Sequence, residues 1–276
     1  MQSIMSHHPS LNGRVILITG ASRGLGREMA LALAGSGARL ALLGSQPSEA
    51  LDSLAEEISD TMILTADVAR AGQAAAVVAE AEAHFGRIDV LVNNAGLGMR
   101  RVAENFNTTP TKFWETSPAA WSDIIGANVN GPFFMARAAV PGMVERGFGK
   151  VINVSTSAQT MIRRGYAPYG PSKAALEAYS RVWAQDLEGS GVDVNVYLPG
   201  GAADTDLLPP SANKKGADGN LLPADIMRRG IGWLCSDASN GVTGARFIAR
   251  LWDESLPPDE AARGARDDHG DMPRIL

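Results

Sequence analysis

Short aliphatic runs alternate along this chain with longer segments in which Ala, Leu and Glu recur at helical spacing. Each run is continuous in its apolar residues, which is typical of a strand buried on both faces of a parallel sheet. The pattern predicts strands over 15–19, 39–43, 61–65, 88–92, 150–154 and 192–197, and helices over 25–33, 48–58, 73–85, 118–145 and 168–188. Regular alternation of this kind predicts an α/β fold, a doubly wound parallel sheet with helices on both faces.

The same pattern sets the expected boundaries of a single domain. Residues 1–12 are polar and unpatterned, which predicts a loose leader, and the domain is expected over 13–250. The segment 251–276 is rich in Asp, Glu, Arg and Pro, and we interpret it as a solvated C-terminal tail. No segment between these limits has the composition of a linker, so one domain is expected.

Two long loops, 97–117 and 199–222, interrupt the alternation, and loops of this length in a compact domain are usually functional or disordered. The second loop is expected to form a lid over the site, with Leu207 and Leu208 as its apolar face. Pairs of arginines lie in or near these segments and are candidate receptors for an anionic group of a substrate: Arg100 with Arg101, and Arg163 with Arg164.

Composition and charge exclude several classes of function. The chain has 276 residues and a formal net charge of −5, whereas nucleic-acid binding needs a basic surface. No apolar run approaches the roughly 20 residues of a membrane span, so no membrane association is expected. The single cysteine, Cys235, predicts a reducing, cytoplasmic setting. The four histidines and this cysteine fit no zinc spacing, so no metal is expected.

A glycine-rich turn joins the first predicted strand to the first helix. Gly20 allows the sharp turn, Gly24 lets a ligand approach the backbone, and Gly26 lets the helix pack on the strand. The N-terminus of the helix then offers unpaired N–H groups and a positive dipole end to an anion. The turn therefore predicts binding of a phosphate group.

A rival interpretation uses the same residues. The run from Gly20 to Gly24 also matches the G-x-S-x-G nucleophile elbow, with Ser22 as nucleophile and His269 as base. The elbow would then follow the very first strand, and His269 lies in the polar tail. A serine hydrolase is therefore the remoter alternative.

The end of the second strand indicates which dinucleotide would bind. NAD-preferring sites usually place Asp or Glu there, but this chain reads Leu42-Leu43-Gly44-Ser45-Gln46. Arg23 can face a 2′-phosphate with a charge-assisted hydrogen bond, and Ser45 can donate to the same group. NADP(H) is therefore favoured over NAD(H).

A candidate acid–base pair lies at the start of the helix over 168–188. Tyr169 and Lys173 are four residues apart and so share a helix face. A free Tyr has a pKa near 10, and a nearby ammonium group stabilises the tyrosinate. We therefore expect Lys173 to lower the pKa of Tyr169 into the range useful for general acid–base catalysis.

Six features occur in a characteristic order along the chain: the turn Thr19–Gly26, the segment Asn93–Gly96, Asn128, the hydroxyl cluster Ser155–Ser157, the pair Tyr169 and Lys173, and Pro199-Gly200. This ordered set resembles the short-chain dehydrogenase/reductase family, classical type, over about residues 12–250. The resemblance implies a single Rossmann-like domain with a seven-stranded parallel sheet, whose last strand would follow the segment 241–244.

The resemblance also implies a role for each catalytic residue. Tyr169 would be the acid–base, Lys173 would bind the nicotinamide ribose, and Asn128 would hold a water in a proton relay to Lys173. The family's carbonyl-polarising Ser is replaced here by Thr156, with Ser157 as the reserve candidate. The Thr hydroxyl supplies the same donor, while its methyl group stiffens the side chain.

The loop after the sixth strand also departs from the family pattern. The expected Thr comes one place late, at Thr205, and Asp204 occupies the usual position. A carboxylate beside cofactor phosphates is unfavourable, so we expect a bulge that lets Thr205 serve. The cofactor-binding residues predicted in all are Gly20, Ser22, Arg23, Gly24, Leu25, Gly26, Ser45, Asp67, Val68, Asn94, Ala95, Gly96, Tyr169, Lys173, Pro199, Gly200, Ala202 and Thr205.

These residues together predict an NADP(H)-dependent oxidoreductase that interconverts an alcohol and a ketone or aldehyde. The expected partner is a small-molecule substrate, and the expected assembly is a homodimer or homotetramer. A non-catalytic dinucleotide-binding sensor stays open as an alternative, because the Thr156 and Thr205 departures are compatible with a lost reaction.

Overall fold

A computed structural model describes residues 11–211, 214–216 and 219–267 of the chain. Within these residues seven parallel strands form one sheet in the order β3-β2-β1-β4-β5-β6-β7. The strands are β1 Val15–Thr19, β2 Arg39–Gly44, β3 Thr61–Thr65, β4 Val90–Asn93, β5 Gly149–Val154, β6 Val192–Leu198 and β7 Arg246–Ile248. The reversal of strand order between β1 and β4 confirms the doubly wound topology and places a crevice at the carboxyl ends of the strands.

The helices of the described residues cover both faces of the sheet. They are α1 Gly24–Leu33, α2 Glu49–Glu57, α3 Ala71–Phe85, α4 Pro118–Ile125, α5 Gly131–Arg146, α6 Ala158–Met161, α7 Tyr169–Asp186, α8 Ile231–Cys235 and α9 Pro258–Ala265. Ile16 and Ile18 of β1 belong to one apolar core, whereas Val15 and Leu17 belong to the other. Burial on both faces explains why the strands are continuously apolar in sequence.

The single helix predicted over 118–145 is wrong in one respect, because a π-helical segment, Gly126–Asn130, separates α4 from α5. Pro132 has no N–H to continue an α-helical ladder and instead lies in the first turn of α5, where proline is tolerated. A Cβ on Gly131 would lie 2.8 Å from Cγ2 of Val68, so this corner packs closely.

Both predicted end segments contribute to the core where the structure describes them. Leu11 is 1% exposed, and its N–H donates to the carbonyl oxygen of Ser36 at 3.1 Å. The predicted solvated tail contains α9, whose alanines Ala261, Ala262 and Ala265 are buried. Three alanines on one helix face give little hydropathy signal, yet they let the helix pack closely against the domain.

No helix in the described part of the chain has the length and apolar character needed to cross a membrane.

Candidate active site

The glycine turn has the close contacts that its sequence predicts. Gly20 and Gly24 have positive φ angles of 67° and 54°. A Cβ on Gly26 would lie 2.2 Å from the carbonyl oxygen of Gly20 and 2.4 Å from Nδ2 of Asn94. The N-terminus of α1 has no side-chain cap, so its first N–H groups face the crevice without a side-chain acceptor. This cradle, which a Cβ would fill, fits a phosphate group of a dinucleotide.

Asn94 holds the turn against the end of β4. Its Nδ2 donates to the carbonyl oxygens of Thr19 at 2.9 Å and Gly20 at 3.1 Å. In return, Oγ1 of Thr19 accepts from the backbone N–H groups of Asn94 at 2.9 Å and Ala95 at 3.0 Å. The ends of β1 and β4 are thus joined, and the turn is fixed in shape by residues that need not touch a ligand.

The residues expected to select the dinucleotide lie at the exposed end of the same edge. Arg23 is 76% exposed, and its guanidinium lies 3.6 Å from the carboxylate of Asp206. Ser45 follows β2 directly and is exposed. The carboxylate of Asp67 accepts from the N–H of Ala69 at 3.0 Å and lies 3.5 Å from Arg70.

Tyr169 and Thr156 come together at the carboxyl end of β5, where both side chains line the same cavity and the Thr156 hydroxyl acts on the tyrosine. Burial raises the pKa of Tyr169 to about 12, against the lowering effect of the Thr156 hydroxyl. Ser157, the reserve candidate, caps α6, where its Oγ accepts from the N–H of Thr160 at 3.3 Å. The geometry therefore favours Thr156 over Ser157 as the partner of Tyr169.

The expectation that Lys173 lowers the pKa of Tyr169 is wrong for this arrangement. Lys173 is 5% exposed, and its Nζ donates to the carbonyl oxygen of Val154 at 2.8 Å. Burial lowers the pKa of Lys173 to about 8, and the neighbouring carboxylate of Glu177 raises it in part. Desolvation is the largest cause of the shift at both groups, and Lys173 is not among the causes that act on Tyr169.

Asn128 is fully buried in the π-helical segment and faces the loop after β4. Its Oδ1 accepts from the N–H of Leu97 at 2.8 Å, while its Nδ2 donates to the Leu97 carbonyl oxygen and to Oγ of Ser172, both at 3.0 Å. The side chain thus clamps the loop to α7 one residue before Lys173, and the proton relay through Asn128 stays a prediction.

A buried ionic network that the sequence reasoning missed lies beneath the hydroxyl cluster. Nε of Arg246 donates to both carboxylate oxygens of Glu177 at 3.1 Å, and its Nη1 lies 2.5 Å from Oδ2 of Asp267. Its Nη2 donates to the backbone carbonyl oxygen of Thr156 at 2.9 Å. The three charged side chains are at most 12% exposed. The sequence offered one signal for this network, because Glu177 lies four residues after Lys173 on the same helix.

A cavity of about 1180 Å³ opens between this site and the two long loops. Of the predicted site residues, its lining includes Leu25, Thr156, Tyr169, Pro199, Gly200, Ala202 and Thr205. Both leucines of the expected lid, Leu207 and Leu208, also line it. The lining does not include Arg23, Ser45 or Asp67, which lie further along the edge toward β2 and β3.

The loop after β6 brings Thr205, and not Asp204, to the glycine turn. A Cβ on Gly24 would lie 3.2 Å from Cγ2 of Thr205. Asp204 is instead paired with Lys214, whose Nζ lies 2.7 Å from Oδ1. Hydrogen bonds from Asp204 N–H to the Leu222 carbonyl oxygen and from Leu222 N–H to that of Ala202, both 2.8 Å, close the base of the loop. This geometry agrees with the expected bulge.

The serine-hydrolase alternative receives no support from the described residues. Ser22 lies in the turn beside the cradle, but the expected base, His269, is outside the described residues. Within that part of the chain no group of three or more His, Cys, Asp or Glu side chains is arranged to hold a metal ion.

Comparison with known proteins defines the class to which this site belongs. The sequence model of the family described as short chain dehydrogenase matches residues 14–216, so the chain belongs to the short-chain dehydrogenase/reductase family of oxidoreductases. A short-chain type dehydrogenase/reductase of Picea abies is 35% identical over 211 residues, covering 72% of this chain and 73% of the relative.

Further relatives carry a more specific name. The 3-oxoacyl-[acyl-carrier-protein] reductase FabG of Pseudomonas aeruginosa is 30% identical over 251 residues, covering 86% of this chain and 95% of the relative. The protein of the same name from Escherichia coli is 30% identical over 247 residues, covering 85% and 95%. These relatives extend the similarity beyond residue 216 and across most of the described fold.

Proposed function

We propose that this protein is an NADP(H)-dependent oxidoreductase that interconverts an alcohol and a ketone or aldehyde, with Tyr169 as the acid–base. The adjacency of the Thr156 and Tyr169 hydroxyls at the wall of the cavity carries this proposal. It places two hydroxyl donors where one carbonyl oxygen can accept from both. The FabG relatives are named as reductases of a 3-oxoacyl group, which is chemistry of the same class.

Each residue contributes a separate step. In the reductive direction a dinucleotide held by the glycine turn and Lys173 would supply the hydride for the carbonyl carbon. Thr156 polarises the carbonyl oxygen, and Tyr169 gives that oxygen its phenolic proton. A pKa raised to about 12 keeps Tyr169 protonated at neutral pH, which suits a proton donor. Lys173 and Asn128 complete the site by binding the nicotinamide ribose and relaying a proton back to Tyr169.

The preference for NADP(H) rests on the exposed end of the crevice. Arg23 reaches from the turn without a buried counterion, Ser45 follows β2, and neither Gly44 nor Gln46 offers a carboxylate to a ribose hydroxyl. A 2′-phosphate would exchange the ion pair of Arg23 with Asp206 for a stronger, charge-assisted contact. The remaining predicted cofactor residues, from Gly20 to Thr205, would contact the dinucleotide along the same edge.

The decisive experiment replaces Tyr169 by Phe. Turnover of NADPH with a panel of neutral ketones and aldehydes should fall about a hundred- to ten-thousandfold. NADPH should still raise the melting temperature, since a ligand at a hundred times its Kd stabilises by about 2.7 kcal/mol. Tyr179→Phe, on the exposed face of the same helix, is the matched control. Turnover near wild type in the Tyr169 variant would overturn the mechanism.

The same assay distinguishes the proposed enzyme from a non-catalytic dinucleotide-binding sensor. A sensor would bind NADPH with no turnover in the wild-type protein on any carbonyl compound of the panel.

The cytoplasmic setting and the homodimer or homotetramer stay predictions. Exposed apolar side chains on neighbouring helices, Trp121, Phe133, Tyr179 and Val182, support self-association.

A further inference from the structure

The charged side chains that line the cavity are all of one sign. Within the described residues they are Arg163, Lys215, Arg246 and Arg250, and no Asp or Glu lines the same space. The cavity lining is therefore positively charged, although the whole chain carries a net charge of −5. A cavity with walls of one charge attracts ligands of the opposite charge.

Arg246 is not available to a ligand. Its guanidinium is committed to Glu177, Asp267 and the Thr156 carbonyl oxygen, which together use all three of its nitrogens. Asp204, on the same loop as Lys215, is held by Lys214. The available cations of the cavity are therefore Arg163, Arg250 and Lys215, none of which has a carboxylate partner in the described structure.

The other candidate arginines are either paired or outside the cavity. Arg100 binds Glu104 and donates to the Asp206 carbonyl oxygen at 2.8 Å, so it ties the two long loops together. Arg101 is paired with Asp123. Arg164 is exposed and does not line the cavity. Of the four arginines that the sequence offers for an anionic substrate group, only Arg163 lies at the site.

Arg250 and Arg163 reach the cavity from two different segments of the chain. The backbone N–H of Arg250 donates to the Pro199 carbonyl oxygen at 3.2 Å, and its Cδ would lie 2.8 Å from a Cβ on Gly200. The stem of Arg250 thus packs over the loop after β6. Arg163 follows α6, and its guanidinium lies 5.3 Å from the centre of the Tyr166 ring.

Apolar and aromatic side chains line the same cavity. Phe106 and Tyr166 pack edge to face, with ring centres 5.6 Å apart, and Leu207 packs against Gly98. A ligand in this cavity would therefore meet apolar surface, the two hydroxyls of Thr156 and Tyr169, and guanidinium groups.

We propose that the substrate carries a carboxylate, and that Arg163 and Arg250 bind it while the carbonyl group lies against Thr156 and Tyr169. This inference rests on the proposed function and adds the substrate class to it. Guanidinium forks match a carboxylate in two parallel hydrogen bonds, which fixes the distance between the two ends of the substrate. Lys215, at the edge of the lid, adds positive potential at the entrance.

The test compares two aldehydes that share one ring and differ in the charge of a single group, 4-carboxybenzaldehyde and its methyl ester, methyl 4-formylbenzoate. Their Kd values are measured by thermal shift on the full chain saturated with NADP⁺, and their KM values by NADPH consumption. Wild type should bind the acid at least tenfold more tightly than the ester. In the double variant Arg163→Gln/Arg250→Gln, the Kd of the acid should rise roughly ten- to a hundredfold, while that of the ester stays unchanged.

Arg164→Gln is the matched control, because it removes a neighbouring positive charge that lies outside the cavity. It should leave both Kd values unchanged. Equal affinity of wild type for acid and ester, no binding of the acid, or an unchanged acid affinity in the double variant would each overturn the inference. Failure of the proposed function would appear separately, as reduction of the ester by the Tyr169→Phe variant.

Discussion

The two ends of the crevice hold their functional groups in different ways. At the end near β1 and β2, the cradle is made of backbone, with Gly20 and Gly26 packed against Asn94 and the side chain of Arg23 76% exposed. At the end near β5 to β7, side chains form the site, and a buried cation, Arg246, connects Thr156 to two buried carboxylates.

This difference predicts different responses to substitution. An exposed ion pair contributes little to stability, because water screens it and side-chain entropy opposes it. A buried charge that loses its partner costs several kcal/mol, because its desolvation is no longer offset. Changes at the dinucleotide end should therefore alter which ligand binds, whereas changes at the catalytic end should alter stability and turnover together.

The largest effect is expected at Arg246. Arg246→Leu removes the cation that Glu177 and Asp267 share and should lower the free energy of unfolding by about 3–5 kcal/mol. Arg246→Lys keeps the charge but cannot bind three acceptors in one plane, so it should fold and lose up to about a hundredfold in kcat through a misplaced Thr156.

Chemical denaturation and steady-state kinetics with a neutral aldehyde check both variants. The control is Arg228→Leu, because Arg228 is 48% exposed and forms its ion pair with Glu28, outside the network of Arg246. A Lys variant with wild-type kcat would show that Arg246 only stabilises the fold.

An intermediate effect, on ligand choice alone, is expected at Arg23. Arg23→Gln should lower the preference for NADPH over NADH roughly ten- to a hundredfold, because a charge-assisted contact to the 2′-phosphate is lost. The melting temperature of the free protein should not change, since the ion pair with Asp206 is exposed. Parallel titrations with both nucleotides measure the ratio.

Arg27→Gln is the matched control, since Arg27 lies one turn further along α1 and pairs with Glu57. If Arg23→Gln keeps the wild-type ratio of NADPH affinity to NADH affinity, the argument for NADP(H) is removed.

The smallest effect is expected in the pH profile of Glu177→Gln. Burial lowers the pKa of Lys173 to about 8, and the charge of Glu177 raises it in part. Tyr169, with a pKa of about 12, stays protonated, so loss of reductase activity above neutral pH should follow deprotonation of Lys173. Without the Glu177 charge this alkaline limb should move to lower pH. The exposed control Glu80→Gln should leave the alkaline limb at the wild-type pH. The same result for Glu177→Gln would contradict the link between Glu177 and the pKa of Lys173.

Much of the fold could be predicted from the chain itself. Strand β3 was predicted over its full length, and Ser48 caps α2 through a hydrogen bond from the Leu51 N–H, as its position suggests. These elements follow from local patterns, which sequence periodicity reports directly. The π-helical break before Pro132 and the packing of α9 depend on tertiary contacts, and periodicity alone does not report them.

The site divides in the same way. Tyr169, Lys173 and Thr156 could be found because their spacing along α7 and after β5 is local. Arg246 and Asp267 could not be found in this way, because Arg246 lies on β7 and Asp267 follows α9, both distant in sequence from the residues they bind. The direction of the pKa shift of Tyr169 was also mispredicted, because burial is a property of the assembled core and is absent from a helix considered alone.

The place of Asp267 in the chain has a consequence for biosynthesis. A ribosome adds residues from the N-terminus at roughly 5–20 per second, and early segments can fold before later ones exist. Strands β1 to β4 and the glycine turn are complete once Asn93 has been added, whereas Arg246 and Asp267 are the last groups of the site to emerge. The half of the sheet that would hold the dinucleotide can thus assemble during translation, while Glu177 and Thr156 wait for their shared cation until Arg246 on β7 has been added.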